Sequence, residues 1–514
     1  MRRGALGLGL WLAASGCGDD GLPASTDSSD SGTSPASTAT TETAETTGDS
    51  TGSDAMPEAT GWLHSDRQYI RDSLDRVVIL RGVNARVEGV FDVTFDDGRL
   101  PLEDVPVFTA EDAQQMRALG FNVLRLPINW SGIEPEQGVY DQAYLDRVDE
   151  VVQLCAAVGI WVILDYHQDA YSKEIGEDGA PLWAIQPPPT ELLGGPLGDS
   201  LEMRRFSAQV LAAFAGFFDD SDEDTADEWL QPAFADMAAQ VATRFADEPW
   251  VLGYELYNEP VAADTFVWAF HERVVPAIRE VDDQHMVLFE PSVTRNVIET
   301  APIPSSAFFD EQGVYAPHIY TFSFGDNAAA LNNLSIDDLR PNLESAVAEA
   351  GGWQSPLFVG EWGISPEAPN AASYVQWTYD LLDEHLLHST VWLWKENSQD
   401  SWGLFDWDEE NEGWVERPEV FAGHARPYVP AIAGEPISVR FDADAQRLEL
   451  RYEGREDLVP SRLHVPAEPW YPATFTVSCD GETVATEADR DPLSGEIEVV
   501  CSGAGERLVE LQPA

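Results

Sequence analysis

Short apolar runs alternate along the chain with stretches in which apolar positions recur every three or four residues. The runs are VVILRGVN, FNVLRLPINW, WVILDYHQD, VLGYELYNEP, HMVLFEPS, VYAPHIYTF, LFVGEWG and STVWLWKEN. Such runs are typical of parallel strands buried on both faces, and the periodic stretches between them predict amphipathic helices. In one of these, TAEDAQQMRALG, Thr109 is the predicted N-cap and Gly120 the predicted C-cap.

The number and order of these elements predict an α/β fold, a (β/α)8 TIM barrel over residues 58–434. A doubly wound sheet is the alternative, but no glycine-rich phosphate-binding sequence follows the first run. Beyond residue 435, apolar and polar positions alternate in segments such as ISVRFDADAQRLELRYE and GEIEVVCSG. This pattern predicts a C-terminal antiparallel β-sandwich domain over residues 435–514.

The first 57 residues show neither pattern. Arg2 and Arg3 precede GALGLGLWLAA, an apolar segment too short to span a bilayer as a mature helix, and ASGC follows, ending at Cys17. Residues 1–17 resemble the signal peptide of a bacterial lipoprotein, which implies lipidation of Cys17 and an exported, cell-envelope protein. Plain secretion with a free Cys17 is the alternative. The Ser-, Thr- and Asp-rich residues 18–57 predict a disordered tether.

The 514-residue chain carries a formal charge of −62, which argues against nucleic acid as a partner because both surfaces would be negative. Cys155 lies in a helical apolar stripe and is predicted to be buried. Cys479 and Cys501 lie in strand-like stretches of an exported protein and are predicted to form a disulfide. The Cys and His spacings suggest no zinc site, so we expect neither a metal nor another cofactor, and we expect a monomer.

Polar or aromatic side chains stand at the end of nearly every strand-like run. In chain order they are Asn84, Arg125, His167 with Asp169, Asn258 with Glu259, His318 with Tyr320, Glu361, and Trp394 with Lys395. Barrel enzymes carry their active sites at the carboxyl ends of the strands, so this row of side chains predicts an active site.

Two of these side chains are carboxylates, Glu259 on the fourth run and Glu361 on the seventh. Hydrolysis of a glycosidic bond needs two carboxyl groups, one to protonate the leaving oxygen and one to attack the sugar or to activate water. His318 is placed to tune the proton of Glu259. Tyr320 and Arg125 are placed to hold Glu361, and the charge of Arg125 favours its ionised form. Glycoside hydrolysis is therefore the predicted chemistry.

The segments FNVLRLPINW, YELYNEP, HIY and GEWG resemble those of glycoside hydrolase family 5, a retaining family with two catalytic glutamates. The resemblance implies that Glu259 is the acid/base and Glu361 the nucleophile. It also implies supporting roles for the remaining residues of the pattern, which are Arg125, His167, Asn258, His318, Tyr320 and Trp394.

Within that family, ILDYHQDAYSKEIGEDGAPLWA resembles the endoglycoceramidases, which cleave the bond between a glycan and ceramide. This resemblance extends through VPAEPWYP in the C-terminal domain to most of the folded chain. The loops NARVEGVFDVTFDDG and LLGGPLGDSLEMRRF depart from it, and these loops should shape the glycan and lipid subsites. The glycan headgroup is therefore left open.

A ceramide aglycone requires an apolar groove beside a polar sugar pocket. The candidates for the groove are Tyr171, Trp183 and Ile185, and Trp394 is the candidate platform for a sugar ring. Phe214 belongs either to this groove or to a helix that faces the core.

The sequence thus predicts a retaining β-glycosidase that acts on glycosphingolipids and meets the membrane surface through its lipid anchor and its substrate. Two alternatives stay open, an endo-acting β-glucanase or mannanase and a non-catalytic surface carbohydrate-binding protein. The presence of both glutamates with their supporting residues counts against the last of these.

Overall fold

The structure is a computed structural model. It describes residues 62–197, 201–218, 227–297, 300–323, 331–396, 402–408, 410 and 413–514. The predicted signal peptide, Cys17 and the tether lie outside the described residues.

The strands, in chain order, are β1 (His64–Ser65), β2 (Ile70–Arg71), β3 (Val77–Val78), β4 (Arg81–Asn84), β5 (Val123–Ile128), β6 (Trp161–Tyr166), β7 (Val251–Glu255), β8 (Met286–Phe289), β9 (Gly313–Tyr315), β10 (Phe358–Trp362), β11 (His388–Val391), β12 (Phe405–Asp408), β13 (Gly413–Glu416), β14 (Tyr428–Ile432), β15 (Gly434–Asp442), β16 (Arg447–Gly454), β17 (Ser461–His464), β18 (Phe475–Cys479), β19 (Glu482–Thr486), β20 (Glu496–Val499) and β21 (Gly505–Pro513). The helices are α1 (Ala110–Ala118), α2 (Trp130–Ile133), α3 (Gln142–Ala156), α4 (Leu201–Arg205), α5 (Ala208–Phe218), α6 (Asp227–Phe245), α7 (Asp264–Arg279), α8 (Thr294–Val297), α9 (Ile336–Trp353), α10 (Ala371–His385) and α11 (Pro418–His424).

Among the described residues, eight parallel strands form the barrel. They follow one another around the sheet from β4 to β9, while β10 pairs with β11 and β11 pairs with β4. A bridge between Tyr315 and Leu357 closes the gap between β9 and β10. The predicted TIM barrel is confirmed. Because the strands are parallel, their carboxyl ends meet at one mouth of the barrel.

The barrel strands are buried on both faces, as their continuous apolar sequences require. Every residue of β5 (VLRLPI) is buried, including Arg125, whose charge therefore needs partners inside the barrel. The surrounding helices bury one face each. In α3, the N-cap Asp141 accepts hydrogen bonds from the backbone amides of Ala143 and Tyr144, and the apolar face packs onto the sheet.

The predicted N-cap of α1, Thr109, is confirmed, whereas its C-cap is Leu119, one residue before the predicted Gly120. Thr109 and Asp112 form a capping box at its start, and Gly120, directly after the C-cap residue, has a φ of 91°. A Cβ at Gly120 would lie 2.5 Å from the ring of His464, so glycine also permits the close approach of the barrel to the C-terminal domain. Tyr428 strengthens this contact by donating a hydrogen bond to the Gly120 carbonyl, at 2.7 Å.

The C-terminal domain consists of two antiparallel sheets that share one apolar core. The five-stranded sheet runs β15-β16-β21-β18-β19, and the six-stranded sheet runs β1-β2-β3-β14-β17-β20. The predicted β-sandwich is therefore present. Its second sheet also takes strands from residues 64–78 and 428–432, which the sequence pattern assigns to the barrel. Cys479 and Cys501 are joined by a disulfide in this domain, with their Cα atoms 5.9 Å apart. Cys155 is a free, buried cysteine, as predicted.

A long insertion separates β6 from α6 and carries α4 and α5. Helix α5 has the sequence AQVLAAFAGFF, and its buried face includes Phe214, Phe217 and Phe218. These phenylalanines pack on one another and on Tyr257, so they belong to the core rather than to a groove. In the part of the chain that the structure describes, no helix combines the length and the apolar character that a membrane span requires.

Candidate active site

Arg125 lies at the centre of a buried cluster at the carboxyl ends of the strands. Its Nε lies 2.6 Å from Glu255, and its Nη1 lies 2.7 Å from Glu361. Its Nη2 donates to Asn258 Oδ1 at 2.9 Å and lies 3.1 Å from Asp165. These anions raise the pKa of Arg125, although burial acts in the opposite direction. One fixed cation thus organises carboxylates from several neighbouring strands.

Glu361, on β10, is held at both carboxylate oxygens. Oε1 accepts a hydrogen bond from Arg125, and Oε2 accepts one from the hydroxyl of Tyr320 at 2.7 Å. Burial raises the pKa of Glu361, while the charge of Arg125 acts to lower it. A carboxylate that is fixed by a guanidinium and a phenol, with little exposure to water, is suited to attack a carbon atom rather than to exchange protons. Arg125 and Tyr320, the predicted partners of Glu361, both contact it in the structure.

Glu259 follows β7 in a different environment. Its side chain is 25% exposed, and its Oε1 accepts a hydrogen bond from Asn296 at 2.6 Å. The same oxygen lies 2.9 Å from Nδ1 of His318. Burial, followed by the charge of Asp169, raises the pKa of Glu259 to about 7. A carboxyl group with such a pKa holds its proton near neutral pH, which is the property required of a general acid.

The two carboxyl groups face each other across a short gap. An oxygen of Glu259, an oxygen of Glu361 and a ring nitrogen of His318 all lie within 4.8 Å of one another. Retaining glycosidases place their carboxyl groups about 5–5.5 Å apart, whereas inverting enzymes leave about 6.5–9.5 Å for a water molecule. The observed gap fits direct attack on a sugar by one of the two groups.

His167 and Asp169 extend the cluster to one side. His167 Nδ1 lies 2.6 Å from Asp165, and its Nε2 lies 3.6 Å from Asp169. Burial would lower the pKa of His167, but Asp165 and Asp169 raise it well above its usual value. Burial would raise the pKa of Asp169, but Arg205 and His167 hold it low. The structure therefore places both predicted residues beside the carboxyl pair.

Asn258, also predicted, has both ends of its amide occupied. Its oxygen accepts from Arg125, and its nitrogen donates to the Gln168 carbonyl at 2.9 Å. Asn84 is similarly fixed, since its oxygen accepts from Arg125 at 3.0 Å. These amides order the floor of the site.

The predictions for Trp394 and Lys395 are wrong. Trp394 is fully buried, donates a hydrogen bond to Asp112 of α1 at 2.9 Å and packs against Phe405. Lys395 forms an ion pair with the same carboxylate. Both side chains tie the end of the last barrel strand to α1, where they cannot present a platform to a sugar.

Trp392, two residues before Trp394, is the tryptophan that lies beside the site. It follows β11 directly, is partly exposed, and stacks on the His167 ring with a centroid distance of 5.8 Å and an interplanar angle of 9°. Its ring also faces the guanidinium of Arg86 at 5.2 Å. Trp392 therefore borders the site through His167 and Arg86.

The prediction that Tyr171 and Ile185 line an aglycone groove is also wrong. Both are fully buried, and the hydroxyl of Tyr171 donates to the carbonyl of Ala184 at 2.8 Å. Trp183 is half-buried, donates to the carbonyl of Glu134 at 3.0 Å and stacks on Trp229. The three residues pack the insertion onto the barrel.

The two most exposed large apolar side chains of the insertion, among the residues that the structure describes, lie on and beside α4. Met203 is 73% exposed and Phe206 is 61% exposed. Between them, Arg205 reaches Glu177 at 2.8 Å and lies 3.8 Å from Asp169. Its contact with Asp169 places this apolar segment at the rim of the site.

The sequence reasoning also missed Glu255, Glu290 and Asn296. Glu255 is the last residue of β7, and Glu290 directly follows β8. Asn296 lies on α8 and contacts Glu259 from outside the barrel strands. Glu290 carried the same signal as the predicted residues, a charged side chain at the end of an apolar run. Asn296 carried none.

Comparison with known proteins agrees with this geometry. A family model described as cellulase (glycosyl hydrolase family 5) matches residues 103–398, and one described as the glycoside hydrolase family 5 C-terminal domain matches residues 426–498. Endoglycoceramidase I from Rhodococcus hoagii is 27% identical over 476 residues, which cover 87% of this chain and 88% of that protein. Endoglycoceramidase from Cyanea nozakii is 25% identical over 429 residues, which cover 76% and 80%, respectively.

Among solved structures, endoglycoceramidase II from Rhodococcus sp. in complex with ganglioside GM3 superposes with a TM-score of 0.70 at 26% identity. The match covers 87% of this chain and 99% of that one. The same enzyme has also been solved as its lactosyl-enzyme intermediate.

Proposed function

This chain belongs to glycoside hydrolase family 5, and from this membership we propose that it is a retaining β-glycosidase that releases the intact glycan of a glycosphingolipid from its ceramide. The observation that carries the proposal is the pair of unlike carboxyl groups within 4.8 Å of each other, Glu259 poised to hold a proton and Glu361 fixed by Arg125 and Tyr320. Relatives that act on this bond supply the substrate class.

The environments of the two groups assign the steps. Glu259 gives its proton to the oxygen of ceramide while Glu361 attacks the anomeric carbon, so that the carbon–oxygen bond to ceramide breaks as a glycosyl ester forms. Glu259, now ionised, then takes a proton from a water molecule that attacks the same carbon and releases Glu361. Two inversions at that carbon leave the β configuration in the product. The lactosyl-enzyme intermediate of the Rhodococcus enzyme is the species that the first step produces.

The lipid part of the proposal rests on the segment around α4. Met203 and Phe206 present apolar surface at the rim of the site, and the Arg205 contact with Asp169 ties that segment to the sugar side. Alkyl chains gain about 0.8 kcal/mol for each methylene group that leaves water, so even a short contact here favours a lipid-linked sugar.

A product assay tests the proposal. The purified enzyme is incubated with lactosylceramide, with ganglioside GM3 and with cellotetraose, and the products are identified by mass spectrometry. We expect intact lactose and ceramide from the first substrate, and no release by the Glu361→Gln variant. Hydrolysis of cellotetraose without any release of lactose from lactosylceramide would assign the enzyme to polysaccharides instead.

We also propose that the enzyme is exported as a lipoprotein anchored through Cys17, and that it acts as a monomer at a membrane surface. The basic start, the short apolar segment and ASGC support the anchor. Metabolic labelling with a fatty acid should mark the wild type and not Cys17→Ala, and light scattering of the purified enzyme should give a mass near 56.5 kDa or below.

A further inference from the structure

Glu290 lies beneath the carboxyl pair, at the end of β8, and its side chain is almost fully buried. Its Oε2 accepts a hydrogen bond from the backbone amide of Glu259 at 3.1 Å. Its Oε1 lies 3.4 Å from Nε2 of His318 and 3.5 Å from Arg125. The Glu290 carboxyl group is therefore close to three residues of the site, Glu259, His318 and Arg125.

The contact with the Glu259 backbone matters because that backbone is strained. Glu259 has a φ of 45°, in the left-handed region that residues with a Cβ rarely adopt. Such a conformation is unfavourable for a residue with a Cβ and persists only where neighbouring groups enforce it. Here the amide is held by Glu290 and the carbonyl by Gln168, whose side-chain nitrogen lies 3.3 Å away.

The contact with His318 matters because that ring carries the other restraint on Glu259. Nδ1 of His318 lies within hydrogen-bond distance of the Glu259 carboxyl, and Nε2 lies 3.4 Å from Glu290 without forming a hydrogen bond to it. A Cβ at Gly360 would lie 3.0 Å from Nε2, so the ring is also confined from the side of β10. With His318 uncharged and its hydrogen on Nε2, Nδ1 can accept the proton of Glu259.

We propose that Glu290 is a positioning residue for the acid/base. Its carboxyl group holds the Glu259 backbone in the left-handed conformation and packs against the His318 ring, which hydrogen-bonds the Glu259 carboxyl. Glu290 does not touch the substrate, and it acts only through Glu259. The inference rests on the proposed glycosidase function.

Glu290 also lies near Glu255, with an oxygen of each within 4.8 Å of the other. Burial and the charge of Glu255 raise the pKa of Glu290 well above its usual value. Glutamine is then a close substitute, because it is uncharged and its oxygen can still accept from the Glu259 amide. Alanine removes this contact.

Leaving-group dependence separates this role from a merely structural one. Octyl β-lactoside needs protonation of its leaving oxygen, whereas 2,4-dinitrophenyl β-lactoside does not. We expect Glu290→Ala to lower kcat/KM for the octyl substrate by on the order of 10²-fold, the usual contribution of a general acid, and to change that for the dinitrophenyl substrate little. Glu290→Gln should restore most of the activity on octyl lactoside.

Asp282→Asn is the matched control. Asp282 is a buried carboxylate at the opposite end of β8, bonded to Tyr254 at 2.8 Å and to His285. This substitution should lower the melting temperature without changing the ratio of kcat/KM for the octyl and dinitrophenyl substrates. Equal losses on both substrates for Glu290→Ala, or a Gln variant as damaged as the Ala variant, would overturn the role of Glu290. A wild type that hydrolyses neither lactoside would overturn the proposed function and the inference with it.

Discussion

At the scale of single residues, Glu259 and Glu361 have identical side chains and differ in the groups that contact them. Glu361 has a guanidinium and a phenol on its two oxygens, whereas Glu259 has an amide and an uncharged imidazole. Burial lowers the pKa of His318 to about 4, so this ring places no positive charge beside Glu259 near neutral pH. The absence of that charge allows Glu259 to keep its proton.

The nucleophile can be tested by Glu361→Gln. The amide keeps the shape and the contact with Tyr320, and Arg125 retains Glu255 and Asp165 as partners, so the melting temperature should change little. Covalent attack is lost, and kcat should fall by several orders of magnitude on every substrate. Steady-state rates on aryl β-lactoside and a thermal melt measure the two effects. Substantial residual turnover by a variant free of wild-type enzyme would contradict the assignment.

The acid can be tested by pH. Glu259 must be protonated in the free enzyme, and its pKa is raised to about 7, so kcat/KM for octyl lactoside should be high below that pH and fall as the pH rises through it. Glu259→Gln should remove this basic limb and leave slow turnover of dinitrophenyl lactoside that added azide accelerates. A basic limb that survives in Glu259→Gln would show that another group titrates.

At the scale of elements, parallel strands made most of the site predictable. Polar residues that end successive strands become neighbours around the mouth of the closed barrel. The residues that lie together as expected are Arg125, Glu259, His318, Tyr320 and Glu361. Trp392 and Trp394 are two residues apart, so the alternation of strand residues assigns both to the same face and could not separate them.

Other elements gave too little pattern for prediction. Strands β1–β3 have two residues each, too few to show alternation, so their place in the sandwich sheet was missed. The insertion after β6 lacks a single period, and its buried residues Tyr171 and Ile185 were mistaken for a groove. Its two most exposed large apolar residues in the described part of the chain, Met203 and Phe206, lie instead near α4.

We expect the apolar segment around α4 to contribute to the recognition of lipid-linked substrates. Replacing Met203 and Phe206 by serine should lower kcat/KM for lactosylceramide roughly 10- to 100-fold, because burying one large apolar side chain contributes about 1.5–3 kcal/mol. Activity on aryl lactoside should be retained, since neither side chain contacts the carboxyl pair. Leu458→Ser is the matched control, because Leu458 is 67% exposed on the C-terminal domain. Parallel losses on both substrates would show that α4 supports the barrel rather than the lipid.

At the scale of the whole molecule, charge is the dominant property. Acidic residues number 91 against 29 basic ones, and the only lysines are Lys173 and Lys395. Both lysines are committed to ion pairs, with Asp92 and Asp112. Self-repulsion of such a surface destabilises the folded state and is screened by salt. The melting temperature should therefore rise as NaCl is increased from about 0.1 M to about 1 M, where the screening length falls from ~10 Å to ~3 Å. A melting temperature independent of salt would show that local pairs already offset the repulsion.

The same charge should discriminate between substrates. Ganglioside GM3 is lactosylceramide with an added sialic acid, so the two lipids share the scissile bond and differ by one negative charge. An enzyme with a formal charge of −62 repels the anionic lipid at long range, and added salt weakens that repulsion. We expect kcat/KM for GM3 to rise with NaCl relative to that for lactosylceramide, with both lipids presented in the same uncharged detergent micelles. Lactosylceramide is the internal control, because effects of salt on the fold or the micelle act on both lipids alike. A constant ratio of the two rates over the whole salt range would show that the charge lies too far from the mouth of the barrel to influence substrate choice.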